Sequence, residues 1–277
     1  MITTTIDLGG LAFEDETRAG WAFSALTDWW GQVDDKTPVT ERPQGHGAFP
    51  VSRSLRSSRA MAFRAVYVGA SQAALENAVD ELSAIGAEGP VRMTVTTPAG
   101  ATWRTVSVEA TPFEDHRGRK NGAVAVDLVA RDSRRYADAE WVSTAPPDSG
   151  GGLVWPVVWP AVWPGGGSPG RVALVNSGRA PSAPMFRLLG GFSSALITCV
   201  ETGERIGFDR PIPVGSTVDI DVAGRRAMID GQSDVSRWLR WREWGDVPPL
   251  STRRFQFDVA GPSGSPMLQG RVFPAWW

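Results

Sequence analysis

The sequence predicts a mainly β protein with a single helix, built from two β-rich domains. Only one segment has apolar residues at the three- and four-residue spacing of a helix, whereas most other apolar residues alternate with polar ones. Turn residues separate these alternating runs at short intervals. The 277 residues are 42% hydrophobic and 21% charged, which is enough apolar sequence for two cores. We therefore expect an α+β, split-barrel-like N-terminal domain and an antiparallel β-sandwich at the C-terminus.

The predicted helix covers residues 71–86, with the sequence SQAALENAVDELSAIG. Ser71 can cap its first turn, and Gly86 can end it because glycine accepts a left-handed conformation. We expect the helix to pack on the core through its apolar stripe, which consists of Leu75, Val79, Leu82 and Ile85.

Alternating segments on both sides of the helix predict the strands of the N-terminal domain, at 60–70, 91–97, 102–110 and 122–132. Pro98-Ala99-Gly100 predicts a hairpin turn between the second and third of these strands. In the first strand, alternation places one set of side chains on a common face, namely Met61, Phe63, Ala65 and Tyr67.

After residue 170 the pattern contains strands alone, as expected for a sandwich of short antiparallel strands. The predicted strands are 171–176, 184–190, 194–200, 205–209, 216–222, 225–230, 253–259 and 267–277.

A Gly-flanked segment, GGGLVWPVVWPAVWPGGG, lies between the two patterns and repeats Trp-Pro every four residues. Its prolines exclude a helix, whereas in an extended strand the tryptophans share one face and the prolines the other. Such a segment can pair along one edge only, and its aromatic face must be buried on its own domains or on a neighbouring subunit. We predict that Trp159→Ala destabilises the protein or its assembly by several kcal/mol.

This segment sets the expected domain boundaries. We expect an N-terminal domain over residues 1–149, an extended Trp-Pro connector over 150–167 and a C-terminal sandwich over 168–277.

The sequence contains few residues that could support catalysis. His46 and His116 both lie among turn residues, and the sequence has no nucleophile-elbow, Walker or Gly-rich dinucleotide motif. Glu114-Asp115-His116 groups metal-ligand residue types, but a solvated loop is the simpler interpretation. Asp219 and Asp221 share one strand face, which we interpret as a solvent-facing polar face rather than a Ca²⁺ site or an acid pair. We expect no enzymatic activity, no metal and no cofactor.

Charge and cysteine usage exclude further classes of protein. The net charge of −2 gives no general affinity for nucleic acid or for an anionic membrane. Cys199 is the single cysteine, so no disulfide can form within the chain, and we expect it to be a small buried apolar residue. We expect neither a signal peptide nor a membrane span.

The tryptophans are the most informative residues. RWLRWREWG alternates Trp with Arg at 237–245, and Trp276-Trp277 ends the sequence. Trp and Arg are enriched in protein interfaces, whereas exposed Trp on a β-sandwich can also stack on sugar rings, and burial in a core is the third interpretation. The interface candidates are Trp155, Trp159, Trp163, Trp238, Trp241, Arg237, Arg240, Trp276 and Trp277.

The order of these features resembles the distal tail proteins of long-tailed, non-contractile bacteriophages, which are siphovirus tail components or minor tail proteins. Gly45-His46-Gly47 precedes Arg-rich strands, the single helix follows, and 130–136 resembles the family's Asp-Pro-Arg turn with Ser133 in place of proline. An aromatic-Pro segment and a sandwich containing Asp219-Ile220-Asp221 come next. The sequence departs from the family at VPPLSTRRFQF, where a Pro-Gly is usual.

The resemblance implies a structural virion protein of the tail tip, made in the host cytoplasm. Such proteins form a ring, usually a hexamer, whose N-terminal domains contact the tail tube protein and the tip or hub protein. A galectin-like C-terminal sandwich projects outward and in some members contacts host-binding modules. The resemblance transfers no catalytic residue. A carbohydrate-binding module that recognises host-surface glycan is the alternative hypothesis, and a β-rich hydrolase using His46 or His116 is the third.

Overall fold

The computed structural model describes residues 4–15, 19–50, 54–111, 120–147 and 168–277. The chain divides into two compact units, of which the first comprises Met1–Ala137 with Trp276–Trp277 and the second comprises Asp138–Ala275. The Trp-Pro connector at 150–167 lies outside the described residues, so its role between the domains stays a prediction.

The first unit is a β-barrel with one α-helix in its described part. The helix is α1 (Gln72–Ala84), and the strands are β1 (Thr5–Leu8), β2 (Leu11–Glu14), β3 (Gly20–Thr27), β4 (Arg59–Val68), β5 (Val91–Thr97), β6 (Gly100–Ala110), β7 (Asn121–Ala130) and β8 (Arg135–Tyr136).

The barrel closes because β6 pairs with both β5 and β7. The hydrogen-bonded order is β6-β5-β1-β2-β3-β4-β7, and β7 then returns to β6 through Ser107 and Val129. Neighbouring strands are antiparallel except β2 and β3, which pair in parallel between Glu14 and Ala22. Closure removes the exposed strand edges along which open sheets associate.

The interior of the barrel is formed by the faces that alternation predicts. Met61, Phe63 and Ala65 are buried along β4 as expected, and Tyr67 packs against the same core. The predicted helix is confirmed with slightly narrower bounds. The Ser71 hydroxyl accepts a hydrogen bond from the Ala74 amide at 3.2 Å, and Leu75 and Leu82 are buried.

A long excursion leaves the barrel between β3 and β4. We call its described residues, 28–50 and 54–58, the arm. Its two sides are joined by isolated bridges between Asp35 and Arg56 and between Glu41 and Ala48. The arm therefore has hairpin-like backbone pairing, although its own residues contribute no regular strand within the described ranges.

The second unit is an antiparallel sandwich. Its strands are β9 (Val142–Thr144), β10 (Arg171–Asn176), β11 (Met185–Leu189), β12 (Ser194–Cys199), β13 (Arg205–Phe208), β14 (Thr217–Asp221), β15 (Arg226–Ile229), β16 (Ser233–Asp234), β17 (Leu239–Arg240), β18 (Ser251–Ala260) and β19 (Met267–Arg271). A 3-10 helix, Ser236–Trp238, precedes β17.

These strands form two sheets that pack face to face. Sheet I has the order β10-β18-β12-β13-β17, and sheet II has the order β16-β15-β14-β11-β19-β9. Phe186 of sheet II meets Phe255 of sheet I edge-on, with ring centroids 4.9 Å apart. The two inner faces share one core that includes Val172, Phe257 and Leu268.

Two boundaries differ from the sequence expectation. Residues 138–147 belong to the second unit, although we expected the first domain to reach 149, because β9 pairs with β19 through Gln269 and Ser143. The predicted strand 267–277 is divided into β19 and β20 (Ala275–Trp276). Pro274 lies in the gap, where it has no N–H to donate to a ladder. Strand β20 pairs beside β8, so the chain ends in the first unit.

Candidate interaction surfaces

The arm of the first unit exposes apolar side chains along its length. Val39 is 75% exposed, Phe49 55% and Leu55 46%. Arg42 contacts the Phe49 ring, with its guanidinium carbon 5.8 Å from the ring centroid. Exposed apolar residues grouped on one projecting segment are typical of a protein contact.

The base of the arm is fixed by the guanidinium groups of Arg59 and Arg104, which are both buried. Arg59 donates to the carbonyls of Asp28 at 2.8 Å and Gly31 at 2.9 Å. Arg104 donates to the carbonyl of Trp29 at 2.8 Å and lies over its indole at 4.5 Å. These bonds set the direction in which the arm leaves the barrel.

Burial, together with the neighbouring charges of Arg59 and Arg135, lowers the pKa of Arg104 to about 9. The group therefore remains a cation at neutral pH. Its charge is solvated by the carbonyls of Trp29 and Ser133 and by the Trp29 ring, and the charge of Asp132 also favours the cation.

The turn that resembles the family's Asp-Pro-Arg motif is organised by Asp132. Its carboxylate accepts from the Arg134 backbone at 3.0 Å and from the Tyr136 hydroxyl at 2.5 Å. Burial raises the pKa of Asp132, but these bonds and the Arg134 charge outweigh burial, so the net pKa is lowered. The neighbouring Ser133 carbonyl accepts from Arg59 and Arg104. The turn is thus tied to the arm base without the proline.

The C-terminal tryptophans lie beside this turn. Arg135 donates to the Trp277 carbonyl at 2.9 Å, and its guanidinium carbon lies 5.9 Å from the Trp276 ring centroid. Trp276 is half-buried and Trp277 is exposed. The arrangement leaves one aromatic side chain available at the chain end, and an interface role for both tryptophans stays a prediction.

The three tryptophans of RWLRWREWG have different environments. Trp244 packs against the core of the second unit. Trp238 lies at the sheet margin with the guanidinium carbons of Arg237 and Arg210 at 5.2 and 5.7 Å from its ring. Trp241 is 51% exposed. A sequence spacing of three therefore does not place these side chains on one surface.

Trp241 borders a groove on the outer face of sheet I. Its backbone has a φ of 46°, which is rare for a bulky residue. The ring rests on Gly207, where a Cβ atom would lie 2.7 Å from Cε3 of the indole. The groove encloses about 360 Å³, and its lining residues are Ser194, Ala195, Leu196, Phe208, Asp209, Arg240, Trp241, Asp258, Val259 and Ala260.

Charged side chains form the rim of this groove. Arg240 pairs through Nε with Asp209 at 2.6 Å. Asp258 lies opposite Leu196 in the ladder of β12 and β18, and its carboxylate accepts only a long bond of 3.4 Å from Gln256 among the described residues. The structure thus brings Trp241 and Arg240 together, whereas Arg237 lies with Trp238.

Sequence reasoning missed a second aromatic-cation cluster, centred on Trp141. The guanidinium carbons of Arg271 and Arg187 lie 4.3 and 5.0 Å from its ring. Arg187 also forms a two-point ion pair with Asp219, with nitrogen-oxygen distances of 2.6 and 3.1 Å. The sequence does contain a signal for this cluster, because Arg187 and Asp219 each alternate with buried apolar residues in their strands. The two residues lie opposite each other where β11 pairs with β14.

Several other predicted residues have simple settings. Cys199 is buried in the core as expected. Asp221 accepts a backbone bond from Gly224 at 2.9 Å and lies 3.5 Å from Arg226. His46 is exposed near the far end of the arm.

Among the residues that the structure describes, no three His, Cys, Asp or Glu side chains group into a metal site. In the same residues, no helix has the length and apolar character needed to cross a membrane.

Six of the singled-out residues lie outside the described ranges. They are Glu114, Asp115, His116, Trp155, Trp159 and Trp163. Their proposed roles stay predictions.

No protein-family model matches the sequence, and no curated protein is similar to it. Solved structures do match. The Dit protein of phage SPP1, described as a paradigm of the hub adsorption apparatus in phages that infect Gram-positive bacteria, is 11% identical, with a TM-score of 0.63 over 98% of this chain and 100% of that one. A chain of the phage P2 baseplate in its activated conformation with Ca is 9% identical, with a TM-score of 0.50 over 98% of each chain. The resemblance to distal tail proteins is thus confirmed at the level of the fold, and this chain has the fold of the SPP1 Dit protein over nearly its whole length.

Proposed function

We propose that the protein is a structural component of a phage tail tip. In this role it forms a ring that joins the tail tube to the tip or host-adsorption apparatus, is part of the virion and catalyses no reaction. The observation that carries the proposal is the fold shared with the SPP1 Dit hub protein from one end of both chains to the other. A match confined to one sandwich would have been far less specific, because sandwiches serve many functions.

The arm is the feature that favours ring formation. The barrel that it leaves has a buried core to which Val39, Phe49 and Leu55 do not belong. A segment that projects apolar groups from a closed barrel suits contact with a neighbouring copy. We propose that these three residues contact the next subunit, and that the hydrogen bonds of Arg59 and Arg104 hold the arm in position for that contact.

The ring itself is the first test. Native mass spectrometry and negative-stain imaging of the purified full chain should show closed rings, with six copies expected. A strict monomer at high protein concentration contradicts the proposal.

The contribution of the arm is tested by placing charge on its apolar residues. Val39→Asp should reduce the ring fraction by about tenfold or more, because a buried unpaired carboxylate opposes association. Val214→Asp is the matched control, since Val214 is 66% exposed on a loop of the second unit. It should leave the rings intact, and neither variant should change the melting temperature appreciably. Equal loss of rings in both variants would exclude the arm as the specific contact.

A further inference from the structure

We propose that the groove on the outer face of sheet I binds a neutral oligosaccharide, with Trp241 as the surface on which a sugar ring stacks. This inference goes beyond the proposed tail function and does not depend on ring assembly.

The first argument is the way in which Trp241 is held. A bulky residue at a φ of 46° is strained, and strain of this kind persists at sites where the position of a side chain matters. Gly207 leaves room for the indole to lie on the sheet, since any Cβ there would meet the ring at 2.7 Å. Arg205 approaches the ring to 5.5 Å. The indole is therefore positioned, yet half of it is exposed.

The second argument is the polar rim beside this ring. Asp258 presents carboxylate oxygens that accept only one long bond among the described residues. Arg240 uses its Nε for Asp209, which leaves its terminal nitrogens directed to no partner in the described part of the chain. Carboxylate acceptors and guanidinium donors next to an aromatic ring match the hydroxyl groups and apolar face of a pyranose.

The third argument concerns charge and size. Arg240 pairs with Asp209, and Arg205 lies 3.6 Å from Glu243. Within the described ranges, Asp258 is therefore the groove carboxylate that no cation pairs with. This balance disfavours an acidic ligand and favours a neutral one. The volume of about 360 Å³ lies in the range of small-molecule clefts.

Trp238 provides an internal contrast. It is also exposed and has arginine neighbours, but it does not line the groove. If aromatic exposure alone produced sugar binding, the two tryptophans would contribute equally. The proposal requires that Trp241 matters and Trp238 does not.

The test is isothermal titration of the full-length protein with four neutral oligosaccharides, namely maltohexaose, cellohexaose, chitohexaose and β-1,4-galactotetraose, and with oligogalacturonate as the acidic counterpart. We expect at least one neutral sugar to bind with a dissociation constant of about 1 mM or tighter. Trp241→Ala should weaken that binding by about tenfold or more, and Trp238→Ala should leave it unchanged. Binding of none of the neutral sugars, binding of oligogalacturonate alone, or equal loss in both tryptophan variants would overturn the proposal.

A second variant tests whether the position of the Trp241 ring matters in addition to its presence. Gly207→Ala keeps Trp241 but displaces its ring, so the affinity should fall although circular dichroism and melting are preserved. Asp258→Asn should weaken binding with the same folding controls. Native mass spectrometry of these variants should show the assembly state of the unmodified protein, so failure of the sugar proposal is distinguishable from failure of ring formation. Unchanged affinity in Gly207→Ala would overturn the assigned role of the Trp241 position.

Discussion

The two units expose their apolar side chains in different chemical settings. In the first unit, the exposed side chains of Val39, Phe49 and Leu55 lie on the arm, where Arg42 contacts the Phe49 ring. In the second, exposed Trp241 lies beside an ion pair and a carboxylate on a sheet face. A projecting apolar segment suits association with a surface of similar character, whereas an aromatic ring next to fixed charges suits a small polar ligand. The comparison teaches that aromatic content alone does not distinguish an assembly contact from a ligand site.

The largest expected effect is a difference in stability between variants of two phenylalanines in the first unit. Phe63 is 1% exposed and Phe49 is 55% exposed. Phe63→Ala should reduce the free energy of unfolding by about 3–5 kcal/mol, because it leaves a cavity in the barrel core. Phe49→Ala should change it by less than about 0.5 kcal/mol. Denaturant unfolding of both variants measures these changes in the free energy of unfolding. A comparable loss for Phe49→Ala would mean that the arm completes the fold and is not held for a partner.

The next largest effect is a difference in stability between variants of two arginines that contact tryptophan rings. Arg104→Met should cost about 3 kcal/mol, because it leaves the buried carbonyls of Trp29 and Ser133 without those bonds. Arg187→Met should cost less than about 1 kcal/mol, since its ion pair with Asp219 is partly exposed to solvent. Thermal unfolding followed by near-UV circular dichroism compares the two. Equal costs would show that the buried cation has no special role at the arm base.

A smaller effect is expected from the backbone of Trp241. Trp241→Gly and Trp241→Ala both remove the indole, but glycine accepts a φ of 46° without strain. The glycine variant should therefore be more stable than the alanine variant by about 1 kcal/mol. Both should lose sugar binding. Identical melting temperatures of the two variants would indicate that the left-handed backbone at residue 241 is not strained. Strain would then no longer support a binding role for the Trp241 side chain.

The smallest effect is a pH dependence confined to the arm. The Ser54 hydroxyl, followed by the Thr37 backbone and hydroxyl, lowers the pKa of Asp35 from 3.8 to about 2. Because the folded pKa is lowered, this stabilisation is complete above pH 3.8 and is lost as the pH falls through about 2. Amide chemical shifts of the arm, titrated from pH 5 to pH 2, should change over this window. Asp35→Asn should abolish that change, and a midpoint at or above 3.8 contradicts the assigned bonds.

Much of the fold was predictable where a local pattern decides the structure. The helix at 71–86, the hairpin at 98–100 and the inward face of β4 all follow from short-range spacing. The first three strands escaped prediction. Strands β1 and β2 are four residues long, and β3 has a register shift between Phe23 and Ala25 that interrupts alternation. Closure of the barrel depends on pairing between distant strands, which no local pattern encodes.

The candidate sites were predictable only as residue types. RWLRWREWG indicated an aromatic and cationic surface, yet Trp244 packs on the core while Trp241 lies on the groove. The positive φ at Trp241 and the absent side chain at Gly207 decide this difference. Gly207 is remote from Trp241 in the sequence and becomes its neighbour only because β13 pairs with β17.

By itself, the sequence determined the mainly β class, the single predicted helix, the buried faces of many strands and the supply of Trp and Arg for surface contacts. Those features depend on side-chain periodicity and residue chemistry, which are local properties. Only the tertiary structure decided that the first sheet closes, that Arg59 and Arg104 meet at the base of the arm, and that Trp241, Arg240 and Asp258 surround one groove. The physical reason is that these arrangements depend on strand register and on backbone conformations at single residues, and both are set by the packing of the whole unit.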